Sequence, residues 1–411
     1  MIQAKKWIWV LVPFFTLTNV FAAKVKTGIE VLSDQNFELL KGKRVGLITN
    51  PTGVDSHLKS TVDILKEAPG VNLVALYGPE HGVRGDAYAG DLVDMDKDNR
   101  TGLPVYSLYG KTRKPTPDML KDLDVLVYDI QDIGCRSYTY ISTMGLAMQA
   151  AAEQGVEFVV LDRPNPLGGL KVEGNLVEEP FISFVSQFKI PYLYGLTPGE
   201  LAKMLNDENL LGKKCKLTVV PMKGWRRSMT FKETGLPWVL TSPHIPYAES
   251  ACFYATSGIL GELGLISVGV GYTLPFQLFA KDSIDALLLA SHLNQLGLPG
   301  VLFRPLSIKP FYGVGQGLLY SGVQTFITNY KVVRLTEIQF YVMQEMVALY
   351  PELKFFGPST ASRFAMFDKV NGSDQIRLKL SVGMKVADIL PFWRKDEEAF
   401  KVKSKWYYLY R

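Results

Sequence analysis

Short apolar runs bounded by turn residues alternate with longer amphipathic segments from residue 43 onward. The short runs have the length and the β-branched content of buried strands, whereas the longer segments have helical spacing. The pattern predicts strands at 44–49, 71–77, 104–108, 124–129 and 157–162, and helices at 56–67 and 138–154. Because strands that alternate with helices pair in parallel, we predict a Rossmann-like, largely parallel sheet of the α/β class.

The pattern changes after about residue 185, where strands and helices no longer alternate regularly. Thr197 and Glu200 have the spacing of a capping pair at the start of a helix. Beyond them the pattern predicts strands at 216–221, 301–305 and 318–328, and helices at 283–296 and 335–350. Since a chain of 411 residues exceeds most single cores, we predict a Rossmann-like catalytic domain at 23–230 and a smaller α+β C-terminal domain at 231–411 that closes the cleft.

The first 22 residues form a segment of another kind. Lys5 and Lys6 precede an apolar stretch at 7–21, and small residues follow where a signal peptidase cuts. The stretch is shorter than the roughly 20 apolar residues that span a bilayer. We therefore predict a cleaved signal peptide at 1–22, a mature chain without a stable membrane span, and a periplasmic or secreted location. Removal of the two lysines lowers the formal charge from +5 to +3.

Charge and cysteine content exclude several classes of protein. The 45 basic and 40 acidic residues are mixed along the chain, so no nucleic-acid-binding surface is indicated. Cys135, Cys215 and Cys252 lie far apart, which fits neither a disulfide framework nor a zinc-binding pair. The chain has only four histidines, and it lacks the glycine-rich loops that bind dinucleotides or phosphates. We expect neither a metal nor a cofactor.

Polar, glycine- and proline-containing loops follow four of the predicted strands. They begin at Asn50, Gly78, Asp129 and Asp162. In open parallel sheets, ligands bind outside the carboxyl ends of the strands. We therefore expect the four loops to share one crevice.

The loop after the second strand carries the most ionisable side chains. Glu80 lies between Pro79 and His81, and Arg84 and Asp86 follow. Glu80 is a candidate general acid, because partial burial raises the pKa of a carboxyl toward the working pH. The alternative is a solvated turn in which Arg84 pairs with a carboxylate.

The other loops supply carboxylates, amides and aromatic rings, a mixture that sugar-binding sites use. The alternative to sugar binding for Asp132 is that it caps the N-terminus of the following helix. Glu173 is a second candidate carboxylate, with a position on the rim as its alternative. The candidate substrate-binding residues of the loops are Asn50, His81, Arg84, Asp86, Asp129, Gln131, Asp132, Arg136, Tyr138, Asp162, Arg163 and Asn165.

Taken together, these loops resemble the exo-β-N-acetylmuramidases of glycoside hydrolase family 171. The matching motifs are Thr-Asn-Pro-Thr-Gly at 49–53, Gly-Pro-Glu-His-Gly-x-Arg-Gly-Asp at 78–86, Thr-Gly-Leu-Pro-Val-Tyr-Ser-Leu-Tyr-Gly at 101–110, Asp-Ile-Gln-Asp-Ile-Gly-x-Arg at 129–136 and Leu-Asp-Arg-Pro-Asn-Pro-Leu-Gly-Gly at 161–169. The resemblance implies a Rossmann-like domain, a smaller C-terminal domain and an active site between them. The implied activity is release of N-acetylmuramic acid from the non-reducing end of peptidoglycan fragments during cell-wall turnover.

The resemblance also implies roles for single residues. Glu80 matches the family's leading catalytic candidate, and Glu173 matches a further acidic position in the cleft. His244 and Glu262 join the candidate substrate-binding residues: His244 ends a Ser-Pro-His triplet where the family usually has Ser-Pro-Asn, and Glu262 keeps a family glutamate. The segment 267–273 departs from the family, because it reads Ser-Val-Gly-Val-Gly-Tyr-Thr where Ser-Glu-Gly-Arg-Gly-Thr is usual.

These residues favour a two-carboxylate glycosidase acting on a peptidoglycan-derived oligosaccharide. Glu80 is the predicted acid/base and Glu173 its weaker partner, and the separation of the two carboxyl groups decides the stereochemical outcome. Arg84, Arg136 or Arg163 is expected to bind the lactyl carboxylate of muramic acid.

Two alternatives stay open at this point. Val268 and Val270 replace a glutamate and an arginine of the family. Their loss is compatible with an exported carbohydrate-binding protein whose catalytic site has degenerated, or with an enzyme that acts on a different sugar. A metal-dependent amidase or esterase would use Glu80, His81 and Asp86.

Overall fold

The computed structural model describes residues 25–85 and 96–411. The predicted signal peptide and Asp86 therefore lie outside the described residues. No helix in the described ranges is long and apolar enough to cross a membrane.

The N-terminal region is built on a sheet whose described strands pair in the order β3-β4-β2-β1-β5-β6-β7. All neighbouring strands pair in parallel except β3, which runs antiparallel to β4. The strands are β1 (Arg44–Thr49), β2 (Asn72–Gly78), β3 (Asp96–Lys97), β4 (Pro104–Ser107), β5 (Val125–Asp129), β6 (Glu157–Leu161) and β7 (Leu217–Val220). The predicted Rossmann-like sheet is confirmed.

Helices cover both faces of this sheet. Along β5, Val125 and Val127 pack toward α1 and α2, whereas Leu126 and Tyr128 pack toward α4 and α5. Strands buried on both faces read as continuous apolar runs, which is why the sequence shows them so clearly. The helices of this region are α1 (Gly28–Asp34), α2 (Thr61–Glu67), α3 (Pro117–Leu120), α4 (Tyr140–Gln154) and α5 (Pro198–Asp207).

Two of the predicted helices begin later than expected. The helix predicted from 56 starts at Thr61, because Ser60 is its N-cap and accepts a hydrogen bond from the backbone N–H of Asp63. The helix predicted from 138 starts at Tyr140. The capping pair of Thr197 and Glu200 at the start of α5 is confirmed.

The C-terminal region combines helices with a small antiparallel sheet in the order β8-β10-β9. The strand predicted at 301–305 extends to residue 308, and the four-residue strand β8 was not predicted. The elements are α6 (Ser250–Gly261), β8 (Leu278–Lys281), α7 (Ala286–Gln295), β9 (Val301–Ile308), β10 (Tyr320–Ile327), α8 (Ile338–Leu349), α9 (Phe364–Asn371), α10 (Gln375–Ser381), α11 (Val386–Trp393) and α12 (Glu397–Ser404).

The two regions share buried contacts. Cys135 and Tyr192 from the N-terminal region pack in the same apolar cluster as Trp393 from α11. The end of the chain returns to the first region, where the hydroxyl of Tyr410 donates to Asp162 over 2.6 Å. The three cysteines are free.

Arg136, predicted as a substrate-binding residue, lies instead in this shared interior. Burial lowers the pKa of its guanidinium to about 9, which leaves it charged at neutral pH. No carboxylate of the described chain pairs with it. Its nitrogens donate to the hydroxyl of Ser186 at 3.2 Å and to the carbonyl oxygens of Asn175, Ile190, Val370 and Asn371 at 2.8, 2.6, 3.1 and 2.7 Å. Arg136 thus ties the loops of the first region to the end of α9.

Candidate functional site

A cleft of about 440 Å³ lies between the two regions and takes residues from both. Its volume is in the range of small-molecule sites. Five of the predicted site residues line it, namely Glu80, His81, Tyr138, His244 and Glu262. Further lining residues are Tyr109, Arg113, Ser137, Thr139, Tyr140, Ser183, Phe184, Val185, Ser242, Ile245, Tyr254, Phe276, Met366 and Lys369.

Glu80 enters the cleft from the turn that follows β2. The turn is tight, because Gly82 donates its backbone N–H to the carbonyl oxygen of Pro79 over 3.0 Å, and His81 adopts a left-handed φ of 73°. The hydroxyl of Thr139 donates to the Glu80 carboxylate over 3.3 Å. Burial, and then the charge and hydrogen bond of Glu80, raise the pKa of the Tyr109 hydroxyl to about 12. Two hydroxyl groups therefore surround the carboxylate of Glu80.

Glu262 enters the same cleft from the end of α6, in the C-terminal region. Burial raises the pKa of its carboxyl, and the charge of Arg363 offsets part of that rise. A carboxyl in this position holds its proton to a higher pH than a solvated one does. The cleft therefore contains one carboxyl with a raised pKa, Glu262, and a second carboxyl, Glu80, from the opposite region.

His244 lies on the wall of the cleft with Glu262. Its ring nitrogen Nε2 is hydrogen-bonded to the hydroxyl of Tyr312. Burial, and then the proximity of His81, lower the pKa of the His244 imidazole. Tyr138 donates its hydroxyl to Thr241 over 2.8 Å, which fixes its ring beside this wall.

Glu173, predicted as the second catalytic carboxylate, does not line the cleft. Its side chain is buried and accepts hydrogen bonds from the backbone N–H and the hydroxyl of Thr336, both at 2.9 Å, and from the N–H of Leu335 at 3.3 Å. These donors lie at the turn that begins α8. Glu173 caps that turn from the other region, which is a structural role.

The expected crevice at the carboxyl ends of the central strands is filled by the chain itself. The sheet changes direction between β1 and β5, where ligands of such sheets usually bind. Here Phe231, Leu236 and Val239 pack against the loops and leave a cavity of about 20 Å³. Of the four loops, those after β2 and β5 reach the open cleft, at residues 80–81 and 137–139.

The charged residues of the remaining loops pair with or hydrogen-bond to other residues of the protein. Asp129 pairs with Arg163, whose Nη2 lies 3.0 Å from Oδ2, and also accepts a hydrogen bond from the hydroxyl of Thr61. Asp162 accepts hydrogen bonds from the backbone N–H of Gly199 and the hydroxyl of Thr197, both at 2.7 Å, at the start of α5. Burial raises the pKa of Asp162 to about 7, against the effect of these donors.

The amide side chains of these loops also hydrogen-bond to neighbouring loop residues. Asn50 accepts from the backbone N–H of Thr52 over 3.0 Å, and Gln131 donates to the carbonyl oxygen of Pro164 over 2.7 Å. Asn165 donates to the carbonyl oxygen of Leu196 over 3.0 Å. These three residues are buried and do not line the cleft.

Asp132 is buried beside them. It accepts hydrogen bonds from the N–H of Gly134 over 2.7 Å and from the hydroxyl of Tyr194. Burial raises the pKa of its carboxyl to about 7. It does not line the cleft, and its contacts hold the loop before α4.

The three arginines expected to bind a carboxylate of the ligand have other partners. Arg84 pairs with Asp98 through two hydrogen bonds of 2.8 and 3.0 Å, as the alternative interpretation predicted, while Arg163 and Arg136 are buried. In the described part of the chain, the Lys and Arg side chains that line the cleft are Arg113 and Lys369. The guanidinium of Arg113 lies over the ring of Phe184, 4.4 Å from its centroid.

The departure at 267–273 removes charge from the C-terminal region without opening it. Val268 is buried in the apolar cluster around α6, and Val270 packs against the same cluster. Within residues 25–85 and 96–411, no group of three or more His, Cys, Asp or Glu side chains could hold a metal ion.

The chain is similar to proteins of one family along almost its whole length. A family model of the N-terminal part of the exo-β-N-acetylmuramidase NamZ matches residues 45–249, and one of its C-terminal part matches residues 252–410. The peptidoglycan β-N-acetylmuramidase NamZ of Bacillus subtilis (strain 168) is 48% identical over 387 residues, which are 94% of this chain and 92% of that protein.

Two crystal structures of DUF1343 family proteins from Bacteroides fragilis NCTC 9343 have the same fold. One is 62% identical and superposes with a TM-score of 0.90, covering 94% of this chain and 99% of the other. The second is 29% identical with a TM-score of 0.75, covering 95% and 99%.

The structural role of Glu173 is testable. We expect Glu173→Gln to lower the free energy of unfolding by about 1–3 kcal/mol, because an amide group replaces one of the acceptors of the turn before α8. Hydrolytic activity per folded molecule stays near that of the wild type. Urea denaturation and an activity assay on the folded fraction measure the two effects, with the exposed Glu352→Gln as control. Loss of activity in a fully folded variant would return Glu173 to the catalytic residues.

Proposed function

The chain belongs to the family of the exo-β-N-acetylmuramidase NamZ and is a glycosidase, and from this premise we propose how it acts. It releases N-acetylmuramic acid from the non-reducing end of peptidoglycan fragments, with Glu80 and Glu262 as the two catalytic carboxyl groups. The observation that carries the proposal is that these two groups face one cleft from opposite regions of the chain.

The environments of the two carboxyl groups suit different roles. Hydrolysis of a glycosidic bond needs an acid that protonates the leaving oxygen and a carboxylate that acts as base or nucleophile. Burial raises the pKa of the Glu262 carboxyl, which suits it to the role of the acid. Glu80, beside the hydroxyl groups of Thr139 and Tyr109, supplies the carboxylate. This assignment gives the acid role, predicted for Glu80 from its loop, to Glu262.

Arg113 binds the lactyl carboxylate that distinguishes muramic acid from glucosamine. Its guanidinium is oriented by the ring of Phe184, and a planar guanidinium can donate two parallel hydrogen bonds to a carboxylate. Lys369 on α9 adds a second positive charge to the cleft.

The two catalytic roles can be separated with two leaving groups. We expect Glu80→Gln to lower kcat at least about 100-fold on both an aryl muramide and a muramic-acid-terminated disaccharide. Glu262→Gln should lose as much on the disaccharide but little on the aryl muramide, because a phenolate leaves without protonation. Since Glu262 acts in its protonated form, wild-type activity on the disaccharide falls as the pH rises through the raised pKa of Glu262.

Stopped colorimetric assays and mass spectrometry of the products measure these rates. The exposed Glu352→Gln is the matched control and should behave as the wild type. Near-wild-type turnover of the disaccharide by Glu262→Gln would remove Glu262 from the mechanism, and the same result for Glu80→Gln would remove Glu80.

Sugar recognition by Arg113 is tested by competitive inhibition. We expect Arg113→Met to raise the inhibition constant of free N-acetylmuramic acid about tenfold, which corresponds to about 1.4 kcal/mol. The constant for N-acetylglucosamine should not change, because that sugar has no lactyl group. Arg226→Met, at an exposed position outside the cleft, is the control. An equal change for both sugars would show that Arg113 does not recognise the carboxylate.

Export fits this substrate, because peptidoglycan lies outside the cytoplasmic membrane. We propose that residues 1–22 direct export and that the protein acts in cell-wall turnover. The mature protein should begin at Ala23, which mass spectrometry of the exported chain would show. A mature chain that retains Lys5 and Lys6 would contradict cleavage.

A further inference from the structure

Two aromatic side chains are exposed together on the hairpin between β9 and β10. Phe311 is 66% exposed and Tyr312 is 49% exposed. The ring of Phe311 stacks on the half-buried Tyr272, with centroids 5.8 Å apart and planes inclined by 23°. Exposed apolar groups that cluster in this way mark binding surfaces. We name Tyr272, Phe311 and Tyr312 the aromatic platform.

Backbone contacts hold the platform in place. The N–H of Phe311 donates to the carbonyl oxygen of Gly271 over 2.7 Å, and the N–H of Gly317 donates to that of Pro310 over 2.9 Å. Gly271 has a φ of 89°, and a Cβ there would overlap the carbonyl oxygen of Tyr312. The platform is therefore ordered before a ligand arrives, which lowers the entropic cost of binding.

The platform continues the wall of the cleft. Tyr312 is hydrogen-bonded through its hydroxyl to His244, and the two rings lie 6.0 Å apart. His244 lines the cleft together with Glu80 and Glu262. A ligand that leaves the cleft past His244 therefore meets the rings of the platform.

The chemistry of the platform matches the apolar face of a hexosamine ring. A pyranose has a face of C–H groups that packs on an aromatic ring, while its edge carries hydroxyl and amide groups for hydrogen bonding. Apart from Lys309 at its start, the hairpin has no charged side chain, so the rings of the platform contact the ring faces of a glycan and not the carboxylates of a peptide stem. The platform thus favours the glycan chain over its peptides.

We propose that the aromatic platform binds hexosamine rings on the leaving-group side of the scissile bond, beyond the first ring after it. The inference rests on the proposed exo-muramidase activity, in which the terminal muramic acid occupies the cleft and the rest of the chain extends from it. The enzyme therefore prefers chains longer than a disaccharide.

The test compares a muramic-acid-terminated disaccharide with the tetrasaccharide of the same repeat. For the wild type, we expect a KM about tenfold lower for the tetrasaccharide. Phe311→Ala should abolish this difference and leave kcat/KM for the disaccharide within about twofold of the wild type. Leu319→Ala removes an exposed apolar side chain from the same hairpin and is the matched control, which should keep the preference for length.

Calorimetric binding of the two glycans to Glu80→Gln, with and without Phe311→Ala, separates this inference from the proposed function. Release of muramic acid without any dependence on chain length would overturn the platform and leave the function intact. If the wild type cleaves neither glycan but binds the longer one more tightly through Phe311, the result would support glycan binding by the platform and contradict the proposed hydrolytic activity. Equal binding of both glycans in every variant would overturn the platform as well.

Discussion

The geometry of the cleft depends on the buried guanidinium of Arg136, because this side chain joins the two regions that form the cleft. Removing such a group from water costs several kcal/mol of free energy, and each hydrogen bond to a charged group stabilises the folded state by about 1.5–3 kcal/mol. Arg136 makes contacts with four carbonyl groups and one hydroxyl, so its donors are well satisfied. Two of these carbonyls end α9, where the helix dipole favours a positive charge. The same helix carries Lys369 on the cleft wall.

The sequence was sufficient to predict the sheet but not which polar side chains support it. The apolar runs of β1, β2, β5 and β6 follow directly from burial on both faces, so periodicity predicts them. Asp129 ends β5 and Glu80 follows β2, so the two acids look equivalent in sequence. They differ in what packs over them, since Asp129 is buried against Arg163 whereas Glu80 opens into the cleft. That difference depends on residues 231–239, which fill the usual ligand crevice from a distant part of the chain.

The site residues that sequence reasoning missed come from segments without a distinctive pattern. Arg113 follows the motif at 101–110 by three residues, and only that proximity could have suggested it. Lys369 lies on a helix of the C-terminal region and joins the site through tertiary contacts alone. Glu262 was predicted through the resemblance to the family. The argument for its role as the acid is its raised pKa, which depends on its burial at the end of α6 and could not be read from the sequence.

The proposed acid and its partner belong to different regions, and this division links stability to catalysis. Glu80 is positioned by the sheet, and Glu262 by a helix that packs in the shared apolar cluster. Neither region alone contains the pair, so the separation of the two carboxyl groups is set by the docking of one region on the other. Arg136 and Glu173 both bond across that boundary. Both residues therefore stabilise the docking of the two regions without touching the substrate, and a residue with this structural role can still stand in a motif that looks catalytic in sequence.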